Sequence, residues 1–269
     1  MQLKHFPTPQ RPRATVLIAH GYAEHHGRYL PFIEALNDAG IEAYTYDHRG
    51  HGAAAEEGKK AQVDVATLVQ DHLAARRELG SHPLVLFGHS MGGLITARSV
   101  QHNAENVQAV MLSGPAFLPE TALPLPAVRA GRALAKFFPG LPAASLDAAH
   151  TARDPQAVAK YQNDPLNYLG KVPLLTGASM MLEGHAALAG SWPSIPTLIL
   201  HGTDDHLANP QGSKEFAKKS TSIQLELQPG GYHEILNDYG KEEVTARYIE
   251  WLTETLRLDH GEQDGLADT

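Results

Sequence analysis

The sequence predicts an α/β fold in which a mostly parallel central sheet is flanked by helices. Short apolar runs alternate with longer segments of helical periodicity, the pattern of strands joined by crossover helices. Several of these runs are almost continuously apolar, as expected for strands that helices cover on both faces. The alternation is interrupted once, near the middle of the chain, by a long segment without a strand pattern.

The individual elements follow from this alternation in chain order. The segments predicted as strands are residues 14–19, 41–46, 83–87, 107–112, 197–200 and 223–227. The segments predicted as helices are residues 29–39, 62–79, 91–102, 210–220 and 242–256. The polar, glycine-containing run at 259–269 is predicted to be a frayed tail.

The interruption lies at residues 114–192, which are rich in Pro, Ala, Leu and Gly and show no β-run. The segment has helical periodicity and is too long for a connecting loop. In an α/β chain such an insertion most often covers the carboxyl ends of the strands, where ligands bind. We therefore expect a core formed by residues 1–113 and 193–269, and a helical cap or lid formed by residues 114–192.

Composition and charge exclude several function classes. The chain of 269 residues has no cysteine, which excludes disulfide scaffolds, thiolate zinc sites and a cysteine nucleophile. Its formal net charge of -8 argues against a nucleic-acid partner. Residues 1–13 have no apolar run of signal-peptide length, and no stretch approaches the roughly 20 apolar residues of a membrane span. We expect a cytoplasmic protein, and the oligomeric state stays open.

A Gly-x-Ser-x-Gly motif centred on Ser90 joins a predicted strand to a predicted helix. A serine on such a sharp turn needs neighbours without bulky Cβ substituents, which explains Gly88 and Gly92. The N-terminus of the following helix supplies N–H donors where an oxyanion would form. Ser90 is the candidate nucleophile of a serine hydrolase, which needs no cofactor. The alternative is a tight turn with an incidental serine.

The serine requires a base, and histidine is the usual one near neutral pH. Because the chain has 16 histidines, position must decide. His233 follows the last predicted strand and so lies at the same sheet edge as Ser90. In this arrangement the carboxylate lies between serine and histidine in the chain. The turn after residues 197–200 holds both Asp204 and Asp205, and the pattern does not separate them.

The oxyanion needs two backbone N–H donors. One comes from the residue after the nucleophile, here Met91. A His-Gly turn follows the strand predicted at 14–19, and by position its Tyr22 supplies the second. Only the backbones of these two residues matter for this role.

The blocks around these residues resemble the monoacylglycerol lipases, especially the bacterial ones, of the α/β-hydrolase superfamily. The resemblance extends from about residue 15 to 256. Its most specific parts are His20-Gly-Tyr-Ala-Glu-His-His-Gly-Arg-Tyr29 and the cap segments 146–155 and 161–165. The other blocks are residues 47–52, 88–93, 202–205 and 232–233.

This resemblance implies an α/β-hydrolase fold with the cap inserted between the sixth and seventh core strands. It implies hydrolysis of monoacylglycerols to fatty acid and glycerol through an acyl-enzyme, with a catalytic triad of Ser90, Asp205 and His233. An apolar tunnel lined by the cap would hold the acyl chain. The resemblance also implies that Glu24 and Arg28 contact the glycerol moiety; the alternative is a salt bridge that shapes the turn.

Three departures from the family are evident. Ala23 replaces the usual glycine in the turn that carries Tyr22, and Ala53 and Ala54 follow Gly52 where a serine is common. A leading strand of the family sheet is missing from the short N-terminus. Rival functions are a carboxylesterase or a lysophospholipase with the same triad, and a catalytically silent binding module with this fold.

Two further patterns have competing interpretations. The histidines and aspartate at positions 25, 26, 47, 48 and 51 match no standard ligand spacing, so we expect a structural turn there and no metal. In the cap, basic residues recur at helical spacing beside apolar ones that include Phe137 and Phe138. One interpretation is that the apolar face covers the active site and the basic face is solvated. The other is peripheral contact with a lipid surface, and the two are compatible.

Overall fold

The structure is a computed structural model that describes residues 2–80 and 82–257. Its strands are β1 (Lys4–Phe6), β2 (Ala14–Ala19), β3 (Ile41–Thr45), β4 (Leu84–His89), β5 (Val107–Ser113), β6 (Pro142–Ala144), β7 (Val172–Pro173), β8 (Thr197–Gly202) and β9 (Ile223–Gln228). Its α-helices are α1 (Leu30–Asp38), α2 (Val65–Arg77), α3 (Met91–His102), α4 (Leu125–Leu134), α5 (Pro155–Asn163), α6 (Leu174–Ala189), α7 (Pro210–Ala217) and α8 (Lys241–Thr255).

In the described residues, a seven-stranded sheet has the order β1-β3-β2-β4-β5-β8-β9. Every pairing is parallel except that of β1 with β3. Parallel neighbours end at the same edge, so the loops after β2, β4, β8 and β9 meet there. The predicted α/β-hydrolase fold is thereby confirmed.

Each face of the sheet carries its own apolar core. Leu17 of β2 joins the core that α2, α3 and α7 cover, whereas its neighbours Val16 and Ile18 join the core that α1 and α8 cover. Successive side chains of a strand point to opposite faces, so a strand buried on both sides must be apolar throughout. This requirement explains the continuous apolar runs of the sequence.

The insertion at residues 114–192 contains α4, α5, α6 and a small antiparallel pair of β6 with β7. Helix α6 packs against α4 and also against α2 and α3 of the core. Buried hydroxyls of α6 stabilise this contact. Thr176 Oγ1 and Ser179 Oγ accept hydrogen bonds from the backbone N–H groups of Val63 and Val65. The insertion is therefore held at one end by hydrogen bonds as well as by apolar packing.

The position of the insertion depends on how strands are counted. In the described sheet it follows the fifth strand along the chain, β5, and precedes the sixth, β8. The sequence-based numbering, between the sixth and seventh core strands, counts a leading strand of the family sheet that the described residues do not contain. Strand β1 was not predicted, because its three residues contain a single strongly apolar side chain.

Along residues 2–80 and 82–257, no helix combines the length and apolar character that crossing a bilayer demands. The segment 259–269, predicted as a frayed tail, lies outside the described residues.

Five of the buried histidines have lowered pKa values: His20, His48, His51, His72 and His89. Burial disfavours the charged imidazolium. It lowers the pKa of His20 to about 3 and that of His89 to about 4, and it also lowers the pKa of the other three. All five are therefore neutral in the folded protein near pH 7, and the sequence alone does not distinguish them from exposed histidines.

We predict that the free energy of unfolding falls as the pH falls from about 7.5 to about 5.5. In this window the unfolded chain binds more protons at these five positions than the folded protein does, which costs up to about 1 kcal/mol per group one pH unit below the unfolded pKa. The pKa of His233 is raised, so it opposes the trend, but as one group against five. Urea unfolding at several pH values measures the slope. His72→Gln should flatten it, whereas the same exchange at the exposed His102 should not; equal slopes in all three proteins would contradict the prediction.

Candidate active site

Ser90 lies at the sharp junction between β4 and α3. Its backbone angles, φ 53° and ψ −119°, fall in a region that residues with a Cβ rarely adopt. A Cβ at Gly88 would collide with the carbonyl oxygen of Gly92, and a Cβ at Gly92 with that of Ala19. The two glycines thus permit the close approach of α3 to β2 and β4 that holds the turn.

Ser90 and His233 line one cavity at the carboxyl edge of the sheet. Its other lining residues are Gly21, Tyr22, Glu24, His89, Leu146, Thr151, Tyr161, Leu207 and Glu234. The free volume of about 20 Å³ is that of one or two water molecules. The cavity brings together residues from the loops after β2, β4, β8 and β9 with others from the insertion.

His233 contacts Asp205 rather than Asp204. The Nδ1 atom of His233 lies 2.6 Å from Oδ2 of Asp205, and both side chains are buried. Asp204 is exposed, and its carboxylate accepts a hydrogen bond from the neighbouring Thr203 hydroxyl. The geometry thus separates the two aspartates that the sequence left open.

The charge of Asp205 sets the state of His233. Burial would raise the pKa of the Asp205 carboxyl, but His233 and His201 hold it well below its ordinary range. Burial would likewise lower the pKa of His233, but the Asp205 charge and hydrogen bond outweigh it and raise that pKa. Because the carboxylate accepts, Nδ1 of His233 carries the proton and Nε2 is left as the acceptor.

Tyr22 lines the same cavity as Ser90, and Met91 follows Ser90 directly in the chain. Met91 is the first residue of α3, whose initial N–H groups have no partner within the helix. Tyr22 precedes Ala23, which adopts a positive φ of 65°. That conformation suits glycine and costs an alanine about 1–2 kcal/mol, so the departure from the family pattern noted at Ala23 is tolerated under strain.

Glu24 and Arg28 take part in a buried charge network with Glu234. The guanidinium of Arg28 donates to Glu24 at 2.8 Å and to both Glu234 oxygens at 2.6 Å. It also lies 4.7 Å from the centre of the Tyr161 ring. The guanidinium of Arg28 therefore binds protein side chains, and Arg28 is not among the residues that line the cavity. Glu24 and Glu234 do line it. Sequence reasoning missed Glu234, whose only signal was its place next to His233.

Glu24 also makes hydrogen bonds that fix the turn after β2. Its Oε1 atom accepts hydrogen bonds from the Gly21 N–H at 2.5 Å and from the Tyr29 hydroxyl at 2.6 Å. Burial would raise the pKa of Glu24, but the Arg28 charge lowers it, so the carboxylate is ionised. An ionised Glu24 holds the turn that carries Tyr22 in place.

The histidine cluster after β2 is joined by hydrogen bonds. Nδ1 of His26 lies 2.6 Å from Oδ1 of Asp47, and Nε2 of His25 lies 2.9 Å from Oδ2 of Asp164. The other Asp47 oxygen accepts the Ala53 N–H. Possible ligand atoms of His25, His26 and Asp47 lie within 4.8 Å of one another, but these bonds use them to fix the turn after β3.

A second, larger cavity adjoins that of Ser90. Its free volume is about 230 Å³, and it shares Leu146 and Tyr161 with the smaller one. The remaining lining residues come from the insertion: Ala148, Gln162, Tyr168 and Leu169. Most of these side chains are apolar or aromatic, so the space suits an apolar ligand.

The chain is similar to several known hydrolases. Residues 10–240 match the Hydrolase_4 family, described as serine aminopeptidase, S33. The chain is 33% identical to a monoacylglycerol lipase of Mycolicibacterium smegmatis over 91% of its length and 90% of the relative's. It is 29% identical to a monoglyceride lipase homolog of Monkeypox virus, with 90% of each chain covered. A crystal structure of Paleococcus ferrophilus monoacylglycerol lipase superposes with a TM-score of 0.85, at 32% identity, over 94% of this chain and 98% of that one.

Proposed function

The chain belongs to the Hydrolase_4 family of serine hydrolases, and from this membership we propose that it hydrolyses monoacylglycerols to a fatty acid and glycerol. One observation carries the proposal: Ser90 and His233 line the same cavity, and His233 is hydrogen-bonded to the buried Asp205. The similarity to two monoacylglycerol lipases, each covering at least 90% of this chain, supports the substrate class.

In the proposed acylation step, Ser90 Oγ attacks the ester carbonyl while Nε2 of His233 takes the hydroxyl proton. Asp205 stabilises the imidazolium through Nδ1–H. The carbonyl oxygen becomes an oxyanion, and the N–H groups of Tyr22 and Met91 bind it. The imidazolium then protonates the leaving glycerol oxygen, which leaves the acyl group on Ser90.

Deacylation repeats this chemistry with water as the nucleophile. His233 removes a proton from water, the hydroxide attacks the acyl-enzyme carbonyl, and the same two N–H groups bind the second oxyanion. The proton returns to Ser90 Oγ as the fatty acid departs. No electron acceptor or metal takes part in either step, so these residues suffice for the reaction.

We assign the two ends of the substrate to the two cavities. The carboxylate of Glu24 lines the smaller cavity and suits a glycerol hydroxyl, whereas Arg28 acts on this end through its bonds to Glu24 and Glu234. The acyl chain would extend past Leu146 and Tyr161 into the larger cavity. In this arrangement residues 114–192 are a cap that supplies the acyl site, and residues 1–113 and 193–269 are the core that supplies the chemistry.

The cap also offers a surface for contact with lipid aggregates. After α4, Phe137 is 78% exposed and Phe138 is 59% exposed, and Leu134 and Leu141 are exposed beside them. Lys136 is part of the same surface, whereas Arg132 pairs with Asp64 of the core. Apolar side chains next to a cation favour the interface of a membrane or emulsion. We propose peripheral contact with lipid through this surface.

Hydrolysis of mono-, di- and triacylglycerols measured side by side tests the substrate. We expect monoacylglycerols to be cleaved with the highest kcat/KM, and Ser90→Ala to abolish turnover. Preference for short aryl esters or lysophospholipids would instead identify a carboxylesterase or lysophospholipase. Removal of N-terminal residues from peptides would instead identify a serine aminopeptidase, the activity that the family is described by. If a fluorophosphonate does not label Ser90, the protein is a binding module.

Exchange of each aspartate separates the two carboxylates. We expect Asp205→Asn to lower kcat by about four orders of magnitude, because the amide cannot orient or stabilise the imidazolium. Asp204→Asn should stay within about twofold, since its side chain is exposed and contacts Thr203. Thermal unfolding of both variants checks that they are folded. Loss of activity in Asp204→Asn alone would reject the assignment.

The double variant Phe137→Ser, Phe138→Ser tests the lipid surface. Activity on emulsified substrate should fall about tenfold, because the variant loses apolar area that transfers into the interface. Activity on a soluble ester should not change. Tyr239→Ser, which alters an equally exposed aromatic residue outside the cap, is the matched control. An equal loss on both substrates would contradict contact with lipid.

A further inference from the structure

One carboxylate oxygen of Asp205 contacts two histidines. Oδ2 lies 2.6 Å from Nδ1 of His233 and 3.0 Å from Nε2 of His201. The other oxygen accepts the backbone N–H groups of Leu207 and Ala208 at 2.8 and 2.9 Å. The carboxylate therefore has four donors, which matches its capacity as an acceptor.

The contacts of His201 fix which of its ring nitrogens carries the proton. Nε2 lies 3.0 Å from Oδ2 of Asp205 and 3.0 Å from the carbonyl oxygen of Ala208, and both of these atoms can only accept. Nε2 therefore carries the proton. Nδ1 lies 2.7 Å from the Ser213 hydroxyl, which can donate to it. The direction of the bonds is from Ser213 to His201 and from His201 to Asp205.

Rigid elements hold this second histidine without exposure to solvent. His201 is near the end of β8, Ser213 is on α7, and both are 0% exposed. The Asp205 side chain beside them is buried to the same extent. Removal of a donor at such a depth leaves an acceptor that water cannot easily satisfy. The position of the carboxylate thus depends on His201 as much as on its own loop.

We propose that His201 is a positioning residue of the active site, because its Nε2–H holds the Asp205 oxygen that also accepts from His233 and draws negative charge from it. This inference rests on the proposed function, in which His233 is the base. His201 does not contact the reacting atoms and acts only through Asp205.

The bond has an effect beyond orientation. An oxygen shared by two N–H donors stabilises the His233 imidazolium less than an oxygen that has one donor. His201 therefore limits the basicity that Asp205 confers on His233. The other titratable groups that face His233 come from the β2, β4 and β9 loops and are unchanged by exchanges at His201: Glu24, His89 and Glu234.

The pH profile of kcat/KM tests this role. In His201→Leu the oxygen loses one donor, the His233 imidazolium becomes more stable, and the acid limb should move up by about half to one pH unit. In His201→Gln the amide N–H replaces the lost donor, and the limb should return toward that of the unaltered protein. An acid limb unchanged in His201→Leu, or shifted equally in both variants, would overturn the proposal.

His72→Leu is the matched control. His72 is also fully buried, and its Nδ1 lies 2.8 Å from a serine hydroxyl, that of Ser99, but it does not contact Asp205. Loss of stability without a shift of the acid limb is expected here. An equal shift in this variant would mean that any buried histidine has the effect, and the proposal would fail.

Nitrogen-15 NMR of the unaltered protein reads the same bond without turnover. We expect the His201 ring to be the Nε2–H tautomer. Its signal is identified as the one that changes in Ser213→Ala. Observation of the Nδ1–H tautomer would overturn the proposal, even if His201→Leu does not fold. If no ester is cleaved, NMR titration of His233 measures its pKa in place of the kinetic pH profile. Absence of hydrolysis would thus reject the proposed function, whereas the tautomer and the titration decide the role of His201.

Discussion

The buried carboxylate of Asp205 connects the chemistry of the site to the architecture of the sheet. Its four donors come from His201 at the end of β8, from His233 after β9, and from two residues of its own turn. A charge buried at this depth is tolerated only where such donors replace water. A displacement of β9 relative to β8 would therefore lower the stability of the fold and change the orientation of His233.

A second buried charge system borders the cavity. Glu24 and Glu234 share Arg28, and together they join the turn that carries Tyr22 to the loop that carries His233. The network has a formal charge of −1, which favours the imidazolium that forms in each proposed step. Two loops separated by more than 200 residues in the chain are thus fixed relative to each other by one guanidinium.

The sequence predicted six strands of the sheet, the helices that flank them and the positions of Ser90 and His233, because these depend on local patterns and on strand order. It did not separate Asp204 from Asp205, since neighbouring residues of a turn point in different directions that only the folded loop defines. His201 and Glu234 were missed for a related reason. Their partners, Ser213 and Arg28, come from α7 and from the turn after β2, and no spacing in the chain marks those contacts.

The wall between the two cavities has a consequence for the fate of the acyl group. In the conformation described here, the space around Ser90 has room for one or two water molecules and is too small for glycerol. Leu146 and Tyr161 belong to both cavities, so binding of the glycerol end in the proposed reaction requires side chains of this wall to move. The same motion would admit water to the acyl-enzyme, which couples the entry of the second substrate to the release of the first product.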